Sequence, residues 1–279
     1  QGCTAFAKVM LVRHFREPIP LQTTAMEQVS TVMGGDDSVI EALDTICIKS
    51  HPDVIGLLTT GLTETQGSDI NNALAMFRDK HPEHSGTAVV PVNTPDFTGS
   101  LESGFATAVE GIVKTLVPLR EEGDSVPGRR QRQVNVLCGS ALTPGDIEAV
   151  QELLEAFELR SLFIPNISES LGYLPDNDFN PLTVGGTPVS EIALAGDSIA
   201  TIAIGPSIFK AGELMQTRTG VPLYKFDSLL GLTAMDEFVH AISKLAERPV
   251  PLRIERQRAQ LQDAMLDAHF MMGLSRIGV

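Results

Sequence analysis

The chain has 279 residues, 43% of them hydrophobic, and a formal net charge of −14. That length can bury a large core and is expected to divide into two domains. The acidic balance argues against a nucleic-acid partner and against an anionic membrane surface, since both require a basic footprint. No apolar run reaches the roughly 20 residues of a membrane-spanning helix, and no signal peptide is present. Three cysteines do not make a disulfide framework, so a reducing cytoplasm is expected.

From the start of the chain, helical patterning covers 4–14, and 18–23 reads as a weak strand. Helices are expected at 38–49 and 68–80, strands at 54–58 and 87–92, and a further helix at 101–116. Asp36 and Asp37 are expected to cap the first of these helices. Residues 120–133 are polar, rich in Gly and Pro, and apolar only at Val126, which marks a domain linker or exposed loop. The first α/β domain is therefore set at 1–119.

The second half repeats the alternation. A strand at 134–137 leads to Thr143-Pro144-Gly145-Asp146, a helix start with Thr as N-cap and Pro at the first helical position. That helix runs to about residue 157, and a strand at 161–164 follows. A short helix comes after Thr187-Pro188, then a strand at 199–204, a helix at 208–217 stopped by Gly220, a strand at 221–224 and a helix at 233–246. This is the second α/β domain, 134–248. The remainder, 249–279, is a long helix carrying Leu261, Met265 and Met272, whose spacing favours core packing. Strands alternating with crossover helices indicate parallel sheets of the doubly wound type. The chain opens and closes within patterned segments, as a piece of a longer protein would.

Ligands in such sheets bind beyond the carboxyl ends of the strands. Three loops stand there: Thr59-Thr60-Gly61-Leu62-Thr63-Glu64, Asn93-Thr94-Pro95-Asp96-Phe97-Thr98-Gly99-Ser100, and Gly139-Ser140-Ala141-Leu142-Thr143-Pro144. Their small and hydroxyl residues suit either an anion or cluster edge, or ordinary turns and N-caps. None has the spacing of a phosphate-binding loop or dinucleotide fingerprint. The six histidines show no zinc-type pairing, and His81-Pro82-Glu83-His84 reads as a solvated loop. There is no nucleophile elbow and no obvious acid–base pair.

Cys3, in the run Gln1-Gly2-Cys3-Thr4-Ala5-Phe6, precedes the first helical pattern. Helix dipole and unpaired N–H groups favour a thiolate there, so a reactive thiol, one ligand of an iron–sulfur cluster, or a free cysteine all fit. A self-sufficient metal site does not, because Cys47 and Cys138 lack ligand-like spacing from it. The polar cluster at 13–18, from Arg13 to Pro18, would neutralise a cluster, meet a partner, or simply end a helix.

Together, the motifs at 1–6, 13–18, 59–69 and 93–100 resemble the nitrogenase component 1 family. Segments 20–26, 133–138, 142–146 and 256–267 extend the likeness over essentially the whole chain. Within that family the pattern is most similar to the β-like subunit of the scaffold that matures the iron–molybdenum cofactor. The resemblance implies two Rossmann-like or flavodoxin-like domains, with a short N-terminal segment and a third domain absent.

It also implies that Cys3 is one of four ligands of a [4Fe-4S] cluster, the others coming from a NifE-like α subunit in an α2β2-type heterotetramer. Catalytic β subunits carry a second cluster cysteine where this chain has Gly61. Cys47 and Cys138 match no ligand position and are expected to pack in a helix and a strand. The cofactor precursor would sit mainly on the partner. A NifH-like iron protein would dock transiently and deliver electrons, molybdenum and homocitrate, so that no catalytic residue is assigned here. A catalytic reductase subunit of the family (dinitrogenase β or dark-operative protochlorophyllide reductase) and a cluster-free α/β binding protein are the alternatives.

Overall fold

Strands and helices alternate along the chain in a computed structural model that describes residues 2–15, 19–24, 35–121, 124–171, 182–273 and 275–276. For Cys3 the description covers the backbone and not the side chain. The first part comprises α1 (Gly2–His14), α2 (Asp36–Ser50), β1 (Val54–Leu58), α3 (Gly61–Thr65), α4 (Ile70–Lys80), β2 (Ala88–Val92) and α5 (Leu101–Leu116). Then come β3 (Arg130–Cys138), α6 (Pro144–Ala156), β4 (Arg160–Phe163), α7 (Ser168–Leu171), α8 (Val189–Ile192) and β5 (Ser198–Ile204). The last elements are α9 (Phe209–Thr219), β6 (Leu223–Phe226), α10 (Leu232–Ala246) and α11 (Leu252–Met272).

β1 and β2 pair in parallel, from Val54 opposite Ala88 to Leu58 opposite Val92. The second sheet has the order β4-β3-β5-β6 and is parallel throughout. Parallel neighbours need a crossover, and α4 and α6 supply it between β1 and β2 and between β3 and β4. The chain steps outward from β3 to β4, then returns to the other side of β3 as β5, so the order reverses there. These parallel sheets flanked by helices bear out the Rossmann-like α/β class.

Burial on both faces explains the near-continuous apolar runs of β3 and β5, whereas β1 has no buried residue. Leu137 and Ala203 point into a core shared with α5 and α9, while Val134, Val136 and Ile202 point into one shared with α6 and α10. A smaller core joins Ile40, Leu43 and Cys47 of α2 to Phe77 of α4 and Val89 of β2. Helix α5 belongs to the first core on two sides. Its Gly111 approaches Val90, Val92 and the Pro91 carbonyl, and Glu110 meets Lys210 of α9 at 2.8 Å. Helix α9 ends at Gly220, whose left-handed backbone (φ 75°) returns its N–H to Gln216 O at 2.7 Å.

Most element ends lie within two or three residues of expectation, and the exceptions have physical causes. β3 begins at Arg130 rather than 134, because its first residues are polar and leave no apolar signal. Within the expected linker, Arg120, Val126 and Gly128 are tied to α9, Asp197 and β5. Arg120 N donates to Arg218 O (2.8 Å), Val126 N to Asp197 Oδ1 (2.8 Å) and Gly128 N to Ser198 O (3.0 Å). Asp36 and Asp37 occupy the first turn of α2, and the N-cap is Gly35. Residues 19–24 form no strand, and 18 lies outside the described residues. Helix α11 has no buried residue; Leu261 and Met265 are each 50% exposed and Met272 more so, which overturns their reading as core.

Between β3 and β5 lies a buried polar set. Gln133 Nε2 donates to Ser198 Oγ (2.9 Å), and Ser198 Oγ donates to Asn135 Oδ1 (2.8 Å). Asn135 Nδ2 donates to Ala195 O (3.0 Å) and Thr201 Oγ1 (3.1 Å). Every member is partnered, so the set fixes the β3–β5 register at tolerable desolvation cost. Asn135→Ala leaves buried groups unpaired and is expected to cost about 1–3 kcal/mol, read as a lower denaturant midpoint.

Candidate functional site

Helix α1 starts at Gly2, so position 3 lies in its first turn rather than ahead of it. Backbone N–H groups are unpaired in a first turn and favour negative charge. The helix is apolar over much of its length, yet Phe6 is 69%, Met10 52% and Val12 80% exposed. Helical spacing puts position 3 on the same face as Phe6 and Met10. An apolar helix with exposed side chains is a surface that awaits cover. At its other end Arg13 and His14 occupy the last turn, and His14 meets Phe15 edge to face at 4.7 Å. Residues 16–18 of the expected polar cluster lie outside the described residues.

The loops after β1 and β2 are joined into one structure. Thr59 is buried, and its Oγ1 donates to Glu64 Oε1 (2.5 Å) and accepts from Thr94 N (2.8 Å). Thr94 Oγ1 donates to Thr59 O (2.8 Å), and Asn93 Nδ2 donates to the same Glu64 oxygen (2.8 Å). Thr60 and Thr63 form a reciprocal cap on α3, and Ser100 and Ser103 do the same on α5. The hydroxyl groups of these loops therefore serve turns and caps.

Gly61 sits where these two loops meet. A Cβ there would overlap Asp96 Oδ1 and lie 3.3 Å from the Phe97 ring. The Asp96 carboxylate thus fills the space that a side chain at 61 needs. Leu62 and Phe97 of these loops and Leu101 at the start of α5 are exposed.

The third loop ends β3 in the other sheet. Gly139 N donates to Ile204 O (2.8 Å), and Gly139 packs against Gly205 (φ 102°) at the reversal of strand order. Thr143 and Asp146 cap α6 reciprocally. The backbone N–H of Thr143, then its hydroxyl, holds the Asp146 carboxyl below the ordinary range. A cavity of about 570 Å³, lined in part by Lys225, Asp227, Ser228, Thr233 and Glu237, opens beyond β6. Periodicity gave no sign of it, because its walls come from one strand end and the next helix start.

Cys47 and Cys138 are buried free thiols in α2 and β3, as packing residues should be. Burial pushes the Cys138 thiol up to about 12. The segment His81-Pro82-Glu83-His84, read above as a solvated loop, is instead a turn with both imidazoles half-buried beside Asp44 of α2. Two histidines three apart around an acidic residue were the available signal; Asp44, 37 residues earlier than His81, was not visible as their neighbour.

Comparison with known proteins places these features. All 279 residues match a family model described as nitrogenase component 1 type oxidoreductase. Among similar curated proteins are two nitrogenase iron-molybdenum cofactor biosynthesis proteins NifN. That of Klebsiella pneumoniae is 43% identical over 280 residues, covering 100% of this chain and 60% of the relative. That of Nostoc sp. is 47% identical over 280 residues, covering 100% and 61%. A solved structure described as nitrogenase Cp1 at pH 6.5 superposes with a TM-score of 0.87 at 30% identity, over 96% of this chain and 57% of that one. The chain therefore spans about three fifths of the length of the relatives it matches.

Gly61→Ala displaces the exposed Asp96 carboxylate and is expected to cost no more than about 1 kcal/mol. Adding Asp96→Ala should recover most of that loss in a double-mutant cycle read by denaturant unfolding. Cys138, with its thiol at about 12, should hold roughly one thiolate in ten thousand at pH 8. Peptide mapping after iodoacetamide treatment of the native protein should find it unmodified, and modified once denaturant exposes it.

Proposed function

We propose that the chain, which belongs to the nitrogenase component 1 type oxidoreductases, is a β-like scaffold subunit for assembly of the nitrogenase iron–molybdenum cofactor. In this reading it acts in the cytoplasm as part of an α2β2-type heterotetramer with a NifE-like α subunit. A NifH-like iron protein docks on that assembly transiently. One observation carries the reading: the position that corresponds to a family cluster thiol, Cys3, lies in the first turn of a helix whose apolar side chains stand uncovered.

The donor set supports a shared cluster. Four-iron clusters take four thiolates. Of the three cysteines, Cys47 and Cys138 are sealed in packing, so this chain offers a single donor, Cys3. Bound between subunits, a [4Fe-4S] cluster supplies one-electron chemistry at the seam. The chain's own contribution is a thiolate in a helix first turn, favoured there by unpaired N–H groups. Phe6 and Met10 on the same face bury against the partner and keep water from the sulfur.

Position 61 argues against a larger cluster of the catalytic type. Such a cluster needs a further thiolate from the β side, and here glycine stands at that place with Asp96 against it. Maturation of a precursor held mainly by the partner, with no bond broken by this chain, is the role that remains.

The test uses the full-length protein coexpressed anaerobically with its α-like partner. Cys3→Ala is expected to remove about four irons per αβ pair and the reduced-state EPR signal of the cluster; unchanged iron and EPR would refute the ligand. Phe6→Glu, an exposed substitution, should leave the thermal stability of the free chain within about 0.5 kcal/mol of the original. It should nonetheless abolish copurification with the partner.

A further inference from the structure

Four metal-ligating side chains from two distant parts of the sequence converge at the edge of the small core. They are Asp44 of α2 and His81, Glu83 and His84 of the turn between α4 and β2. His84 Nε2 lies 2.8 Å from Asp44 Oδ1, and His81 Nδ1 lies 3.4 Å from the same oxygen. His81 Nδ1 is 3.2 Å from Glu83 Oε1, and one donor atom from each of the four lies within 4.8 Å of the rest. We propose that these residues form a binding site for one divalent transition cation of the Zn²⁺ class.

The spacing suits such an ion. A tetrahedron with arms of about 2.0–2.1 Å has edges of about 3.3 Å, close to the separations of 2.8, 3.2 and 3.4 Å. Small rotations of the side chains open the shortest edge. Two imidazole nitrogens and two carboxylate oxygens match the borderline character of Zn²⁺ better than that of Mg²⁺ or Ca²⁺, which take oxygen alone. Four protein donors close the coordination, which is the form of a structural site.

The turn is held in shape by hydrogen bonds to its backbone. Arg78 Nη1 donates to His84 O (2.8 Å), and its Nη2 donates to Thr87 O (2.6 Å). His84 N donates to His81 O (3.1 Å), and Pro82 fixes the first position of the turn. The two imidazoles stack at 5.9 Å with 15° between planes, and fully buried Phe77 lies against both at 5.5 and 6.1 Å. Stacking leaves each ring with little freedom to turn away. An ion here would clamp α2 to the entry of β2, at the opposite end of the first sheet from Gly61.

The test is a titration of the full-length protein, cleared of metal by a chelator, with Zn²⁺ alone against a chromophoric competitor. One tight equivalent is expected at this site, and it should survive in the Cys3→Ala variant. Zn K-edge absorption of that variant should show nitrogen and oxygen neighbours at about 2.0–2.1 Å and no sulfur at about 2.3 Å. Asp44→Asn and His84→Ala should each weaken binding at least about tenfold. Glu83→Gln, on a side chain 60% exposed, should weaken it in the same direction without changing the Tm of the metal-free protein. A sulfur shell in the Cys3→Ala protein, or equal affinity in the parent, Glu83→Gln and Asp44→Asn proteins, would overturn the proposal. So would failure to bind Zn²⁺ below millimolar concentration.

Discussion

Helix α5 is the hinge on which the arrangement rests, because it is covered on two sides at once. Val109 and Val113 are almost wholly buried, Gly111 lets β2 come close, and Glu110 reaches Lys210 of α9. One helix therefore belongs to the packing of both sheets, and Arg120, Val126 and Gly128 are bonded to α9, Asp197 and β5. A helix shared in this way makes the strand-end loops of the first sheet a fixed surface, since α5 begins directly after them at Leu101.

Against that helix, whose Val109 and Val113 are buried, α1 and α11 stand out. Both carry large apolar side chains, and both leave them in solvent: Phe6 and Val12 on α1, Leu266 and Phe270 on α11. The cost of wetting such groups is on the order of 1–3 kcal/mol each. Of the two, α1 is the one that carries Cys3. Leu62, Phe97 and Leu101 are exposed as well, and Phe97 lies beside Gly61.

Much of this was legible residue by residue. Thr143-Pro144 announced α6, Gly220 ended α9, and apolar runs located β1, β2 and β5, because turn chemistry and burial on two faces leave local marks. Arg130 to Gln133 escaped notice as strand because these four residues are polar and carry no apolar pattern. The methionines of α11 were misjudged because helical spacing shows that a face exists, not what covers it. Position 3 was marked by its motif, while the exposure of Phe6 and Met10 around it was not.

What the sequence determined by itself is therefore the local and the short-range: which segments alternate, where helices begin and stop, which family the motifs belong to, and that one thiol stands apart from the other two. Periodicity and capping act over a few residues and can be read there. What only the tertiary structure decided is which distant groups share a space. Asp96 occupies the volume beside Gly61, and Asp44 meets His81 and His84 across α2 and α4. Such meetings follow from how helices pack on sheets, and chain order carries no local record of them.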